Sequence, residues 1–258
     1  MRRRAAPAAI AALAAAALVG CASTGAGSGA GTGATAGTVS VFAAASLTDV
    51  LEELADRFEA ERPGVSVVLS FGGSSGLAAQ LTQGAPADVF AAASEDTMAV
   101  VADAGLLAGE SVVVARNVLE IAVPPGNPAG VTGLADLARP ELAIALCDES
   151  VPCGAVASRV LAAAGVQAVP DTLEQDVRAV LTKVELGEVD AGLVYRTDVL
   201  AAGGRAQGVP FPEAEEEPTD YPIAVLDRAA DPELARAFAR YVAEDGRSAF
   251  EEAGFAAP

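Results

Sequence analysis

Val41-Phe42-Ala43-Ala44-Ala45-Ser46-Leu47-Thr48-Asp49 predicts a buried strand that runs through a turn of small residues straight into a helix. The valine and the phenylalanine favour a strand, and the alanines allow close backbone packing. Ser46 or Thr48 occupies the expected N-cap position, and apolar residues then recur at helical spacing as far as Phe58. A helix start presents unpaired N–H groups and a partial positive charge. This turn is therefore either an anion site or an ordinary serine-capped turn.

The same strand–turn–helix pattern recurs along the chain, at residues 65–81, 87–94 and 142–164. Strands that alternate with helices favour an α/β fold with largely parallel sheets. A long extended passage from Val112 to Val123 is broken near Arg116-Asn117, which we interpret as the crossing into a second lobe. The predicted organisation is a first lobe of residues 38–116 and 204–258 and a second lobe of residues 117–203.

Composition and charge exclude several classes of function. The chain has 258 residues, of which 52% are hydrophobic, so it can bury the core of one or two domains. The formal net charge is −19, and Lys183 is the single lysine, which argues against nucleic-acid binding. The chain contains no histidine, which excludes Ser-His-Asp and Cys-His catalysis and every metal site that requires histidine.

The N-terminus is predicted to be a targeting segment. Arg2-Arg3-Arg4 precedes an apolar run, so we expect residues 1–20 to be a signal peptide. Leu18-Val19-Gly20-Cys21 resembles a bacterial lipobox, which implies lipid attachment at Cys21 and anchoring to the membrane as an extracytoplasmic lipoprotein. The rest of segment 21–37 is rich in glycine, alanine, serine and threonine and is predicted to be a flexible tether.

Two further cysteines, Cys147 and Cys153, bracket a predicted loop that ends at Gly154, ahead of a helix expected from Ala155. On the oxidising side of a membrane a disulfide is the expected state of such a pair, and two unpaired buried thiols are the alternative. A metal site is a poorer interpretation, because two thiolates are too few ligands.

Five positions share one chemistry. Each presents a hydroxyl or an N–H donor at the end of a predicted strand or the start of a predicted helix, where open α/β sheets bind ligands. None of them is charged: they are Ser46, Ser74, the Val151-Pro152-Cys153-Gly154 loop, Val177 and Tyr195. Neutral donors suit a fully ionised tetrahedral dianion, which only accepts hydrogen bonds.

The chain resembles a known family in four stretches: Phe42–Thr48, Gly84–Phe90, Val151–Gly154 and Asp176–Arg178. They are similar to signature stretches of the molybdate-binding proteins of molybdate ABC importers. The resemblance implies a two-lobed α/β periplasmic binding protein of type II, with mixed or mostly parallel sheets flanked by helices. It also implies a monomer without a cofactor that binds molybdate or tungstate between its lobes and delivers it to a permease and its ATPase.

The resemblance further implies individual ligand contacts. They fall on the hydroxyl and N–H of Ser46 and Ser74, the N–H of Cys153 and Val177, and the hydroxyl of Tyr195. At Cys153 this sequence departs from the family, where a small residue such as alanine is common. Arg178 either contributes to the site or is a surface arginine paired with a nearby acid.

Other functions remain open from the residues alone. A receptor for another tetrahedral anion, chiefly sulfate, has the same requirements. Gly72-Gly73-Ser74-Ser75-Gly76 matches the Gly-x-Ser-x-Gly pattern of serine hydrolases, but the chain has no histidine to act as base. A surface lipoprotein without a transport role is the third alternative.

Overall fold

The computed structural model describes residues 36–258 and contains two five-stranded sheets. The predicted signal peptide, the lipidation site at Cys21 and almost all of the predicted tether lie outside the described residues. We use lobe 1 and lobe 2 for the parts of the chain built on the first and the second sheet. Strands and helices are numbered along the chain.

The sheet of lobe 1 is mixed. Its strand order is β2-β1-β3-β10-β4, with β1 parallel to β2 and β3 and with β10 antiparallel to β3 and β4. The strands are β1 (Gly37–Ala44), β2 (Val65–Gly72), β3 (Val89–Ala91), β4 (Val112–Asn117) and β10 (Thr219–Val225). The helices are α1 (Thr48–Glu61), α2 (Ser74–Thr82), α3 (Glu95–Asp103), α7 (Pro232–Glu244) and α8 (Arg247–Glu252).

The sheet of lobe 2 has the order β7-β6-β8-β5-β9. In it β6 is parallel to β7 and β8, whereas β5 is antiparallel to β8 and β9. The strands are β5 (Leu119–Val123), β6 (Ile144–Cys147), β7 (Thr172–Glu174), β8 (Ala191–Tyr195) and β9 (Gln207–Val209). The helices are α4 (Pro152–Ala163), α5 (Val177–Glu185) and α6 (Arg196–Ala201). Short 3-10 helices occupy Ala45–Leu47, Leu134–Ala138 and Pro212–Glu216.

Strand β1 is buried on both faces, which explains its nearly continuous apolar sequence. Val39 and Val41 belong to the cluster packed with α1 and α7, whereas Phe42 points into a second cluster with residues of α2 and α3. Side chains alternate between the two faces of a strand, and helices cover both faces here. The α/β prediction is confirmed, with sheets that are mixed rather than largely parallel.

Two connections join the lobes. The first is the single residue between β4 and β5, and the second lies between β9 and β10. The predicted division placed the return to lobe 1 at residue 204. Strand β9 pairs with β5, and Phe211 and Ala214 pack in the core of lobe 2, so the second sheet and its core extend past that point. Whether residue 204 also separates two rigid bodies stays a prediction.

Two local predictions were wrong. Neither Ser46 nor Thr48 caps α1: the N-cap is Leu47, and the Thr48 hydroxyl donates to the Ala45 carbonyl at 2.7 Å. Helix α4 begins at Pro152 rather than Ala155, because proline suits the first turn of a helix.

Candidate functional site: a neutral cavity between the lobes

All five candidate residues line one cavity between the lobes. Lobe 1 contributes Ser46 and Ser74, and lobe 2 contributes Cys153, Val177 and Tyr195. The cavity is small, because the space open to the centre of a water-sized sphere is about 20 Å³. That volume suits a very small ligand, since a single water needs about 10–15 Å³ on the same measure.

Four helix starts meet at this cavity. They are the 3-10 helix at Ala45 and helices α2, α4 and α5, whose first residues are Ser74, Pro152 and Val177. N–H groups of a first helical turn have no partner within the helix, and each helix start carries a partial positive charge. No side chain caps the first three of these helices. Their first-turn N–H groups can therefore donate to a ligand.

Helix α5 has a side-chain cap that leaves its first N–H group free. The carboxylate of Asp176 accepts a hydrogen bond from the Ala179 N–H at 2.9 Å. This bond satisfies the third helical residue and not Val177, the first one. Asp176 lines the cavity, and one oxygen of its carboxylate accepts the hydrogen bond of this cap.

Ser74 is held so that its hydroxyl hydrogen is free. Its Oγ is buried and accepts a hydrogen bond from the Ala93 N–H at 3.0 Å. A hydroxyl has one hydrogen to donate as well as lone pairs that accept. With the accepting role occupied by Ala93, Ser74 can serve as a donor in the cavity.

Tyr221 supports the site through its contact with Ser46, and sequence reasoning missed it. Its Oη lies 3.0 Å from Ser46 Oγ, and both side chains are buried. Burial raises the pKa of the Tyr221 phenol well above its usual value, so the phenol keeps its proton at neutral pH. The two residues are 175 positions apart, and no local sequence pattern signals that they meet.

Tyr195 presents a buried hydroxyl in the cavity. Its side chain is 1% exposed, and within the described residues its Oη has no hydrogen-bond partner. Burial raises the pKa of the phenol, which therefore remains a donor at neutral pH. The ring packs edge-to-face against Tyr221 with the centroids 6.0 Å apart, which joins the two lobes beside the site. A buried, unpartnered donor is costly, so its position favours a ligand that accepts hydrogen bonds.

A disulfide joins Cys147 and Cys153, which confirms the expected pairing. It connects the end of β6 to the first turn of α4, whose N–H groups face the cavity. The turn is tight as well: a Cβ on Gly154 would lie 1.9 Å from the Asp148 carbonyl oxygen, so a side chain cannot be accommodated there.

Replacing both Cys147 and Cys153 with alanine is expected to weaken ligand binding severalfold, because the N–H of Cys153 is no longer held in place. The free energy of unfolding should fall by about 2 kcal/mol, since the disulfide closes a short loop. Calorimetric titration and urea denaturation of residues 36–258 measure the two effects. Unchanged affinity with reduced stability would limit the disulfide to a structural role.

Arg178 does not line the cavity that holds the five candidates. Its guanidinium pairs with Asp49 of lobe 1, and its Nε lies 2.9 Å from Oδ1 of Asp198 in lobe 2. The interpretation as an arginine paired with acids is therefore correct. Asp198 also accepts a hydrogen bond from the Tyr195 N–H at 3.0 Å. Arg178 and Asp198 therefore hold the backbone of Tyr195, whose side chain lines the cavity.

The lobes are in direct contact across the cavity. The Ser75 hydroxyl of lobe 1 donates to the Ser150 carbonyl of lobe 2 at 2.7 Å. The backbone of Gly73 packs against the Gln175 carbonyl, and the Arg178–Asp49 ion pair also joins the two lobes. The structure therefore describes a closed arrangement.

Residues 36–258 contain no group of three or more acidic or cysteine side chains placed to hold a metal ion. Across the same residues, no helix has both the length and the apolar character needed to cross a bilayer. Among the described residues that line the cavity, none carries a cationic side chain. Any anion bound there would be held by neutral dipoles.

Comparisons with known proteins agree on one family. The family model of bacterial extracellular solute-binding proteins matches residues 39–256. The molybdate-binding protein ModA of Mycobacterium tuberculosis is 45% identical over 251 residues, which cover 96% of each chain. ModA of Escherichia coli is 34% identical over 234 residues, covering 80% of this chain and 88% of that protein.

Solved structures agree on the fold. The periplasmic molybdate-binding protein of Azotobacter vinelandii matches with a TM-score of 0.72 and 24% identity, over 85% of this chain and 99% of that one. The sulfate-binding protein SubI of Mycobacterium tuberculosis matches with a TM-score of 0.73 and 19% identity, over 84% and 86%. At these identities the likeness establishes a shared two-lobed architecture, and the bound anion differs between the two.

Proposed function

The chain belongs to the bacterial extracellular solute-binding proteins, and from this premise we propose that it captures molybdate outside the cytoplasm for an ABC importer. Tungstate is the expected second ligand, because it is also a fully ionised tetrahedral dianion. The assignment to molybdate rests on the ModA relatives, of which the Mycobacterium tuberculosis protein is 45% identical over 96% of each chain.

One observation supports an oxyanion above all others: four helix starts and the hydroxyls of Ser46, Ser74 and Tyr195 line a single small cavity. In our proposal these hydroxyls and the N–H groups of Ser46, Ser74, Cys153 and Val177 donate to the four oxygens of the anion. The net charge of −19 does not oppose this, because salt screens distant surface charges over about 8 Å. Donors in contact with the ligand act without that screening.

The same donors discriminate among anions. Phosphate usually carries a proton at neutral pH and needs an acceptor such as a carboxylate, and none of the five proposed contact positions supplies one. Sulfate only accepts hydrogen bonds, so its exclusion depends on the size of the closed cavity. A sulfate receptor is therefore the alternative within this class, and a surface lipoprotein without a transport role is the alternative outside it.

We propose a binding role and no enzymatic one. Ser74 stands in a Gly-x-Ser-x-Gly pattern, but its Oγ contacts the Ala93 N–H rather than a base. The chain has no histidine, and Lys183 pairs with Glu174 and Glu188. The proposed protein is a monomer, anchored through a lipid on Cys21 after removal of residues 1–20, which docks a membrane permease with its ATPase.

Isothermal titration of residues 36–258 with molybdate, tungstate, sulfate and phosphate tests the proposal. We expect tight one-to-one binding of the first two anions and no heat from the other two. Tight sulfate binding with weak molybdate binding would leave the receptor class intact and overturn the ligand. No binding of any of the four anions would favour the surface lipoprotein.

A further inference from the structure

Gly73 lies where the backbones of the two lobes approach each other closely beside the cavity. A Cβ placed on Gly73 would lie 2.0 Å from the carbonyl oxygen of Gln175 and 3.2 Å from its carbonyl carbon. Gly73 precedes α2 in lobe 1, and Gln175 immediately precedes the N-cap of α5 in lobe 2. The approach therefore brings together two of the helix starts that face the cavity.

Local conformation does not require glycine at this position. Gly73 has φ −63° and ψ 127°, which any L-residue adopts without strain. Within lobe 1, alanine would meet no backbone atom closer than ordinary contact, because the close atoms all belong to Gln175 and Asp176. The requirement for glycine arises only when the lobes are together.

Other tightly packed glycines differ in this respect. A Cβ on Gly154 or Gly192 would meet atoms of its own lobe, which makes those residues part of the packing of lobe 2. A Cβ on Gly254 would meet Leu200 of the other lobe, but at the end of a flexible side chain, and its φ of +92° independently favours glycine. Among the described glycines, Gly73 alone combines a relaxed backbone with a backbone obstacle across the cleft.

We infer that Gly73 is a positioning residue whose missing side chain lets the cleft close far enough for donors of both lobes to reach one anion. This inference rests on the proposed function. A Cβ essentially never approaches another heavy atom within 3.0 Å, so alanine would hold the two backbones at least about 1 Å further apart. Ser74 follows Gly73 directly, and Val177 lies two residues after Gln175. A hydrogen bond does not survive an added 1 Å, so an anion held by Ser74 would lose the Val177 donor.

The Gly73→Ala variant tests this role in the full chain, with molybdate as the probe. Titration calorimetry measures affinity, and stopped-flow tyrosine fluorescence measures the rates, since the chain has three tyrosines and no tryptophan. We expect binding weaker by roughly tenfold or more, because the closed population falls by that factor. The loss should lie mainly in faster dissociation, because the open cleft still admits the anion.

Hydrogen exchange separates closure from folding. In the wild type, molybdate should protect both segment 72–76 of lobe 1 and segment 174–178 of lobe 2. In Gly73→Ala, protection should disappear from the segment of one lobe, while the melting temperature without ligand stays that of the wild type.

Gly76→Ala is the matched control. Gly76 lies three residues away in α2, and a Cβ there meets nothing within 4 Å, so we expect wild-type affinity and protection. If Gly73→Ala binds and protects like the wild type, or if Gly76→Ala loses affinity equally, the role of Gly73 is refuted while the proposed function stands. A Gly73→Ala chain that unfolds without ligand also refutes it, since the open lobe should accept alanine. If the wild type itself does not bind molybdate, the proposed function fails and the inference with it.

Discussion

Replacing both Ser46 and Ser74 with alanine is expected to weaken molybdate binding by about 2–6 kcal/mol, roughly 30-fold to 2 × 10⁴-fold. Each substitution removes one buried hydroxyl donor and leaves an anion oxygen without its partner. Removal of a single buried partner typically costs about 1–3 kcal/mol. Titration calorimetry of the double variant and of each single variant measures the loss.

The geometry predicts that the two serines contribute by different routes. Ser74 Oγ accepts from the Ala93 N–H, so its removal also leaves a buried backbone donor unpaired in lobe 1. Ser46 Oγ is in contact with Tyr221, so its removal frees a buried phenol. We therefore expect some loss of thermal stability without ligand in both single variants, separate from the loss of affinity.

Ser70→Ala is a suitable control. Ser70 is an exposed residue of β2 and lies only four positions before Ser74 in the sequence. It should keep wild-type affinity. If the double variant binds molybdate as tightly as Ser70→Ala does, the two serines are not ligands. The site would then have to be sought away from the meeting point of the helix starts.

Much of the fold could be predicted from the sequence because the patterns that set it are local. Val41–Asp49 contains a complete strand, turn and helix start, and the single-residue break after β4 was recognisable in the extended passage from Val112 to Val123. The resemblance implied sheets that are mixed or mostly parallel, but which strands pair antiparallel was not predicted, because strand direction depends on where the chain returns. Strand β10 returns from lobe 2 and pairs with β3 and β4 in the opposite direction.

The candidate residues were found because each stands at a recognisable strand end or helix start. The groups that support them were not, because they come from distant parts of the chain. Tyr221 contacts Ser46 across 175 positions, and Gly73 meets Gln175 only through the closed cleft.

The Gly84–Phe90 stretch carried the resemblance, yet its Asp88 has a structural role. Its carboxylate accepts hydrogen bonds from the N–H groups of Ser40 at 2.7 Å and Ala230 at 2.6 Å.

Arg178→Met is expected to lower the free energy of unfolding by about 3–5 kcal/mol at pH 8. The substitution leaves the carboxylate of Asp198, which is 0% exposed, without its counter-ion. Most of the cost should come from Asp198 and not from Asp49, whose side chain is 59% exposed. A pair with so exposed a partner contributes about 0–1 kcal/mol, so Asp49→Asn should be close to neutral.

The loss of unfolding free energy in Arg178→Met should be larger at high pH than at low pH. Burial raises the pKa of Asp198 from 3.8 to about 6, and Arg178 opposes that rise. Between pH 3.8 and about 6, the folded protein therefore keeps a proton on Asp198 that the unfolded chain has lost. The stabilisation that this proton gives is fully present below pH 3.8 and disappears as the pH rises through about 6. Without Arg178 the pKa of Asp198 rises further, so the window extends to higher pH. Urea denaturation followed by circular dichroism at pH 5 and pH 8 should show a smaller loss at pH 5, where Asp198 is protonated.

The double variant Arg178→Met/Asp198→Asn isolates the buried charge as the cause. Asparagine keeps an oxygen that can accept the Tyr195 N–H now bonded to Asp198 at 3.0 Å, so the start of α6 should remain intact. With the charge removed, stability at pH 8 should return most of the way to that of the wild type, and the difference between pH 5 and pH 8 should disappear. An equal loss at both pH values in Arg178→Met, or no recovery in the double variant, would mean that Arg178 acts through packing. The Arg178–Asp198 pair would then stabilise the fold next to Tyr195 through side-chain packing rather than through its charges.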